Sequence, residues 1–305
     1  MKMSIKFSLF AGLVGLLGFA PLVFEDYGLG LMIGIVSYAI LAQAWSLFSG
    51  PTRYISLATV AFYGVGAYVV AVLNEDLAYP LILLVAVGIG LVMSLAVGIA
   101  TLRLAGVYFV IFSFGLAELV RQLITWYEVN ITGTLGRYIF LPFEAQHIYW
   151  MLLVLAAITF GIAWWIKNSR TGMALRVIGE DEVVASHVGI NITRTKLLLF
   201  AISASIMTLV GAIQAPRWVY IEPSIVFNPT VSFLTVIMAL LGGPHRLLGP
   251  IFGVIPLFLL FEWLSANFPN HYSILLGAVF ILIVFLLPKG VLEFIDRFRL
   301  GGAAK

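Results

Sequence analysis

The sequence predicts an all-α integral membrane protein, a helical bundle of about ten spans, and three observations carry that prediction. Of the 305 residues, 62% are hydrophobic and 10% are charged, against about 25% charged in a soluble domain. Uncharged apolar stretches approach the roughly 20 residues needed to cross about 30 Å of hydrocarbon, and they recur from end to end. None alternates apolar and polar residues as a barrel strand does. Backbone groups in lipid must be satisfied within the chain, so the spans are helices.

Charged or Gly/Pro/Asn-containing breaks divide the chain into spans at 7–24, 28–48, 54–73, 80–102, 105–126, 148–166, 195–215, 227–241, 247–263 and 272–288. The first follows Lys2 and Lys6 and has the look of a signal peptide, with Gly18-Phe19-Ala20 as a conceivable cleavage site. Its apolar run is long for a signal, and further spans follow at once, so it is read as a retained helix. The eighth is short and interrupted at Asn228-Pro229, as a tilted, broken or re-entrant segment would be. Eight full spans plus two half-helices fit almost as well. Residues 1–305 form one transmembrane domain with a single long inner loop, 167–194, and no internal repeat is evident.

Alternation of these spans sorts the basic residues. One side collects Lys2, Lys6, Arg53, Arg103, Lys167, Arg170, Arg176, Arg194, Lys196, Arg246, Lys289, Arg297, Arg299 and Lys305, 14 of the 17, and the other Arg121, Arg137 and Arg217. The positive-inside rule then puts both termini in the cytoplasm of a bacterial-type inner membrane.

Several chemistries fall away. There is no cysteine, which removes disulfides, thiol catalysis and thiolate metal sites. No Gly-x-x-x-x-Gly-Lys-[Ser/Thr] sequence occurs, so nucleotide energy has to come from a partner. The four histidines, His147, His187, His245 and His271, fall in loops or interfaces, which leaves an intramembrane catalytic or metal site unsupported. The net charge of +3 is small, and the basic residues flank spans instead of forming a nucleic-acid face.

Three features remain as candidates. Glu118 and Arg121 lie three residues apart on one face of the fifth span, where they form an interfacial ion pair or line a wet transport path. Small and hydroxylated residues cluster at Ser56 and Thr59 and again at Ser203, Ser205, Thr208 and Gly211; close helix packing or a pore lining accounts for them. The inner loop is amphipathic, with short helices broken at Gly179 and Gly189, and Glu182, Ala185 and Gly189 share a face at i, i+3 and i+7. A charged helical loop on a chain with little other exposed surface reads as a docking element, the alternative being a solvated linker.

With these residues the chain resembles the permeases of high-affinity branched-chain amino acid ABC importers, the LivM-like half, from about Ala39 to Gly290. The blocks are Ser46-Leu47-Phe48-Ser49-Gly50 with Ser56-Leu57 and Ala61 to Tyr68; Leu102 to Phe109 with Ala117-Glu118 and Arg121; Thr132-Gly133; Arg176 to Thr193; and Leu241-Gly242-Gly243 with Gly249-Pro250-x-x-Gly253. The resemblance implies a permease subunit, not an enzyme, with no cofactor of its own and ATP and Mg on partner chains. It implies a second homologous permease, two ATPase subunits and a periplasmic solute-binding protein. Glu182, Ala185 and Gly189 then belong to a coupling helix seated in the ATPase, and Glu118, Arg121, Ser56, Thr59, Thr132 and Gly133 are the candidates for the translocation path or outer gate.

Ala58-Thr59 stands where relatives often carry Gly-His, Thr134 replaces the second glycine of Thr-Gly-Gly, and Gly179 sits where arginine is frequent. Relatives carry branched-chain or other amino acids, amides, urea or aromatic acids. The competing reading is a secondary transporter driven by an ion gradient, which calls for a buried carboxylate or a broken helix at mid-membrane; the spans offer almost none.

Overall fold

The computed structural model describes residues 17–101 and 106–286. Its helices are α1 (Ala20–Val23), α2 (Asp26–Thr52), α3 (Thr59–Leu73), α4 (Tyr79–Thr101), α5 (Val107–Tyr127), α6 (Ala145–Asn168), α7 (Arg170–Glu180), α8 (Glu182–His187), α9 (Ile192–Gln214), α10 (Pro223–Val226), α11 (Thr230–Gly242), α12 (Gly249–Asn267) and α13 (Tyr272–Leu286). A π-helical turn, Glu128–Thr132, continues α5. Two two-residue strands, β1 (Arg137–Tyr138) and β2 (Tyr220–Ile221), pair antiparallel with Arg137 opposite Ile221.

The protein is an all-α polytopic membrane protein. Among the described residues seven helical stretches are long and apolar enough to cross a bilayer: Asp26–Thr52, Tyr79–Thr101, Val107–Thr132, Ala145–Asn168, Ile192–Arg217, Pro223–Gly242 and Gly249–Asn267. Thr59–Leu73 is apolar but shorter. Most of the predicted 7–24 span, the end of 272–288 and residues 102–105 lie outside the described residues.

One predicted span is corrected and one takes the broken form that its sequence allowed. The one expected at 54–73 starts at Thr59, because α2 ends in a left-handed residue, Arg53 at φ 59°, and the chain then runs non-helically to Leu57. Inside a membrane that stretch needs partners, and distant side chains supply them. Trp45 Nε1 donates to Ser56 O at 2.7 Å, Leu57 N to Ser113 Oγ at 2.9 Å, and Ser232 Oγ to Leu57 O at 2.8 Å. The stretch expected at 227–241 is a broken helix, α10 then α11, parted at Phe227–Pro229.

Helix α3 sits at the centre, with 13 of its 15 residues buried. It meets α9 along a seam of small residues: a Cβ on Gly66 would stand 1.9 Å from Thr208 O, and one on Gly211 1.9 Å from Tyr63 O. No side chain fits at either position, so the two backbones touch, which is how helices gain dispersion contact in lipid. Helices α2, α4 and α11 surround this pair.

Candidate functional site

Spans α2, α6 and α9 bring their lysine- and arginine-bearing ends together, and the α7–α8 elbow lies across that basic end. Caps fix each joint of the elbow. Ser169 Oγ accepts from Gly172 N at 3.3 Å to start α7. Asp181 Oδ1 accepts from Val183 N at 2.7 Å and Val184 N at 3.2 Å to start α8. Gly189, at φ 80°, ends α8: its N donates to Ser186 O and Ile190 N to Ala185 O, both at 3.1 Å, the paired bonds of a Schellman stop. Asn191 Oδ1 then accepts from Arg194 N at 3.0 Å to open α9.

Ionic contacts seat the elbow. Glu182 Oε1 accepts from Lys196 Nζ at 2.5 Å and from Tyr54 Oη at 2.9 Å. Lys196 is buried and its ammonium stands 4.0 Å from the centre of the Tyr54 ring, so carboxylate and aromatic face share the charge. A second pair, Arg53 Nη2 to Glu180 Oε1 at 2.5 Å, is solvent-exposed and contributes little. Gly179 is where the elbow touches α2, since a Cβ there would meet Pro51 O at 2.0 Å. That close approach leaves no room for an arginine.

One expectation is corrected here. Glu182 and Ala185 do share a face, but it is the inner one: Ala185 is fully buried and Glu182 turns to Lys196. Ala185 therefore offers no surface to another protein. The outer face carries Val183 (64% exposed), Val184 (51%) and Val188 (64%), beside exposed Ser186 and His187. Periodicity groups residues by face without saying which face is inside, and the partners Tyr54 and Lys196 lie 128 and 14 residues from Glu182.

The second candidate lies midway along α5. Arg121 donates through Nε to Glu118 Oε2 at 2.9 Å and through Nη2 to Oε1 at 2.5 Å, and Gln122 Nε2 adds a bond to Oε1 at 2.8 Å. The pair is part-exposed on a helix that buries little of itself in this chain.

The remaining candidates do not join that pair. Ser56 and Thr59 are buried at the α2–α3 break, about 8 Å below Glu118 along α5 as judged from the Ser113 contact and 1.5 Å per residue. A cavity of about 10 Å³ beside Ser49, Ser56 and Ser203 has room for one water. Thr132 and Gly133 are exposed at the far end of α5, where Thr132 Oγ1 donates to Glu128 O at 2.6 Å and Gly133 takes φ 73°.

Close by, fully buried Glu128 accepts from Arg137 Nε at 2.9 Å, a pair that the sequence reading did not single out. Burial works to lower the Arg137 pKa, but the hydrogen bond and charge of Glu128 outweigh it and hold the guanidinium above its usual value. Through Arg137 the pair anchors β1, and β1 ties the loop before α6 to the segment after α9.

Seven apolar helices of bilayer-spanning length, with a short helical elbow at the basic end, make this a multi-pass membrane protein. The chain belongs to the family described as branched-chain amino acid transport system / permease component, whose model matches residues 28–284. It is a transporter component and not an enzyme. It is 25% identical over 294 residues to the high-affinity branched-chain amino acid transport system permease protein LivM of Salmonella typhimurium, covering 84% of this chain and 67% of that protein. With the permease protein LivH of Escherichia coli it shares 30% over 148 residues, 48% of this chain and 47% of the relative. Against the permease protein BraD of Pseudomonas aeruginosa the figure is 22% over 289 residues, covering 86% and 93%.

Proposed function

We propose that this chain is one of two homologous permease subunits of an ATP-driven importer that moves branched-chain or related amino acids across the inner membrane. A periplasmic binding protein delivers the solute at the Thr132–Gly133 end. Two ATPase subunits, which hold ATP and Mg²⁺, dock on the basic end, the cytoplasmic one. The observation that carries this reading is the elbow. Its valine face is exposed, and its inner face is locked through Glu182 to α9 and to Tyr54, a member of the non-helical segment 53–57 that enters the bundle core. Movement of a docked ATPase is thereby passed to α2, α3 and α9. Glu182, Ala185 and Gly189 serve coupling by positioning the elbow, and the valines make the contact.

Glu118 and Arg121 face the second permease or the path between the two. Charges halfway along a span are costly against lipid, so protein or water covers them in the assembly. Ser56 and Thr59 act from the α2–α3 break, where they shape the inner end of that path. The pass count of about ten is reached by adding Thr59–Leu73, Tyr272–Leu286 and the 7–24 stretch to the seven full-length spans, with both termini cytoplasmic.

Affinity purification of the detergent-extracted chain from its native membrane is the test. Soluble ATPase subunits and a second permease should co-purify, and cysteines placed at Asp76 and His187 should label from opposite sides. A chain that transports alone in liposomes, without ATPases, overturns the reading.

A further inference from the structure

A cavity of about 290 Å³ opens at the basic end between α2, α6, α7 and the α11–α12 loop, close to the smallest usual ligand pockets of about 300 Å³. Four basic side chains line it, Lys167, Arg176, His245 and Arg246, and no carboxylate does among the described residues. Its walls are otherwise apolar, with Leu47, Ile166 and Leu175 among them. Deeper in, Gln43 and Ser46 are each 4% exposed, and Gln43 Oε1 and Ser46 Oγ have no hydrogen-bond partner among the described residues. Burying such atoms unpaired is unfavourable. The cavity thus combines cations at its rim, a greasy wall, and two polar atoms that lack partners.

We propose that this cavity is a headgroup site for an anionic phospholipid of the cytoplasmic leaflet, and that phosphatidylglycerol suits it best. The phosphate meets Arg176, Lys167 and Arg246. The glycerol hydroxyls donate to Gln43 Oε1 and exchange a bond with Ser46 Oγ, and an acyl chain follows the apolar wall. Basic pockets between membrane helices on the cytoplasmic side suit anionic headgroups, and free inorganic phosphate would leave the apolar wall unused. Because α7 supplies Leu175 and Arg176, a bound lipid braces the elbow at α7, apart from the Glu182–Lys196 contact made by α8. The inference shares with the proposed function only the assignment of the basic end to the cytoplasm.

Native mass spectrometry of the full chain with its bound subunits, released from nanodiscs of equimolar phosphatidylglycerol and phosphatidylcholine, tests the site without ATP or solute. Wild type should retain one phosphatidylglycerol in preference to phosphatidylcholine. Arg176→Gln should lower that retention about fivefold, and Arg176→Lys should restore most of it. Gln43→Leu should reduce phosphatidylglycerol but leave phosphatidic acid, which lacks the glycerol hydroxyls, unchanged; this arm separates headgroup reading from general charge and from misfolding. Equal retention of phosphatidylcholine, unaltered retention in Arg176→Gln, or displacement of the lipid by millimolar inorganic phosphate each overturns the proposal. Since the readout is lipid mass, a failure here leaves the transport reading standing, and a chain that transports without ATPases leaves the lipid site standing.

Discussion

Helices α5 and α9, each taken with its terminal turn, are equal in length, 26 residues over Val107–Thr132 and over Ile192–Arg217, yet 22% of the apolar stretch of the first is buried against 67% of the second. The difference follows from their side chains. Helix α9 brings small and hydroxylated residues: Gly211 admits the Tyr63 backbone, Ser203 Oγ donates to Ala44 O at 2.6 Å, and Lys196 anchors the elbow. Helix α5 turns Glu118, Arg121 and Gln122 outward between exposed Leu119 and Leu123. One helix holds this chain together and the other leaves a charged face open. Substitutions in α9 and its contacts should therefore act on the chain itself, and those on the open face of α5 on transport alone.

The largest effect is expected at the α3–α9 seam. Gly211→Leu has no space to occupy beside Tyr63 O, and overpacking by backbone contact should destabilise by more than about 3 kcal/mol. Membrane abundance and thermal stability in detergent should both collapse; a stable, abundant variant would remove α9 from its place as the internal scaffold.

Next comes Glu182→Ala, which leaves the buried Lys196 ammonium without its carboxylate. Breaking a buried pair costs about 3–5 kcal/mol, reduced to about 2 kcal/mol here because Glu182 is partly solvated. Lys196→Met in the same background should recover much of the loss, and a thermal-melt comparison of the single and double variants reads it directly. Equal melting of wild type and Glu182→Ala would reduce the seat to a surface pair.

The smallest effect on stability is expected at the open face. Glu118→Gln and Arg121→Gln should leave abundance and subunit assembly unchanged while lowering solute uptake several-fold, as measured in right-side-out vesicles. Normal uptake in both variants would make the pair a lipid-facing one and erase the contrast with α9.

Hydropathy alone reveals most of the spans, because lipid imposes length and apolarity on each of them independently of its neighbours. The position of the α2–α3 break escaped that reading, which ended one span at 48 and began the next at 54, whereas helix runs on to Thr52 and resumes at Thr59. Pro51 hints at it, but residues 54–57 are uncharged apart from their flanks and are satisfied by Ser113 and Ser232, which are 56 and 175 residues away from Leu57. The elbow was legible as an amphipathic loop stopped at Gly189, but its first break falls at Asp181 and not at the expected Gly179, which lies inside α7 and packs against Pro51. Its inner and outer faces were not, since they are set by α9, which packs against α8, and by Tyr54, which bonds Glu182, neither of them marked in the loop sequence. Lys196 shows the same limit: a lysine near a span end reads as a topology marker, and only the fold turns it into the anchor of Glu182. The Glu118–Arg121 pair was visible from spacing, because i and i+3 neighbours meet in any helix.

The central claim is that the valine face of α8 carries the ATPase. Val184→Asp combined with Val188→Asp puts two charges on that face and leaves Asp181, Gly189, Glu182 and Ala185 untouched. ATPase retention on purified membranes and solute uptake should be measured in the same preparation, beside a native melt. The account predicts wild-type melting of the permease, loss of most bound ATPase, and uptake falling in proportion. Full ATPase retention with wild-type uptake would contradict it, and would leave the elbow a linker.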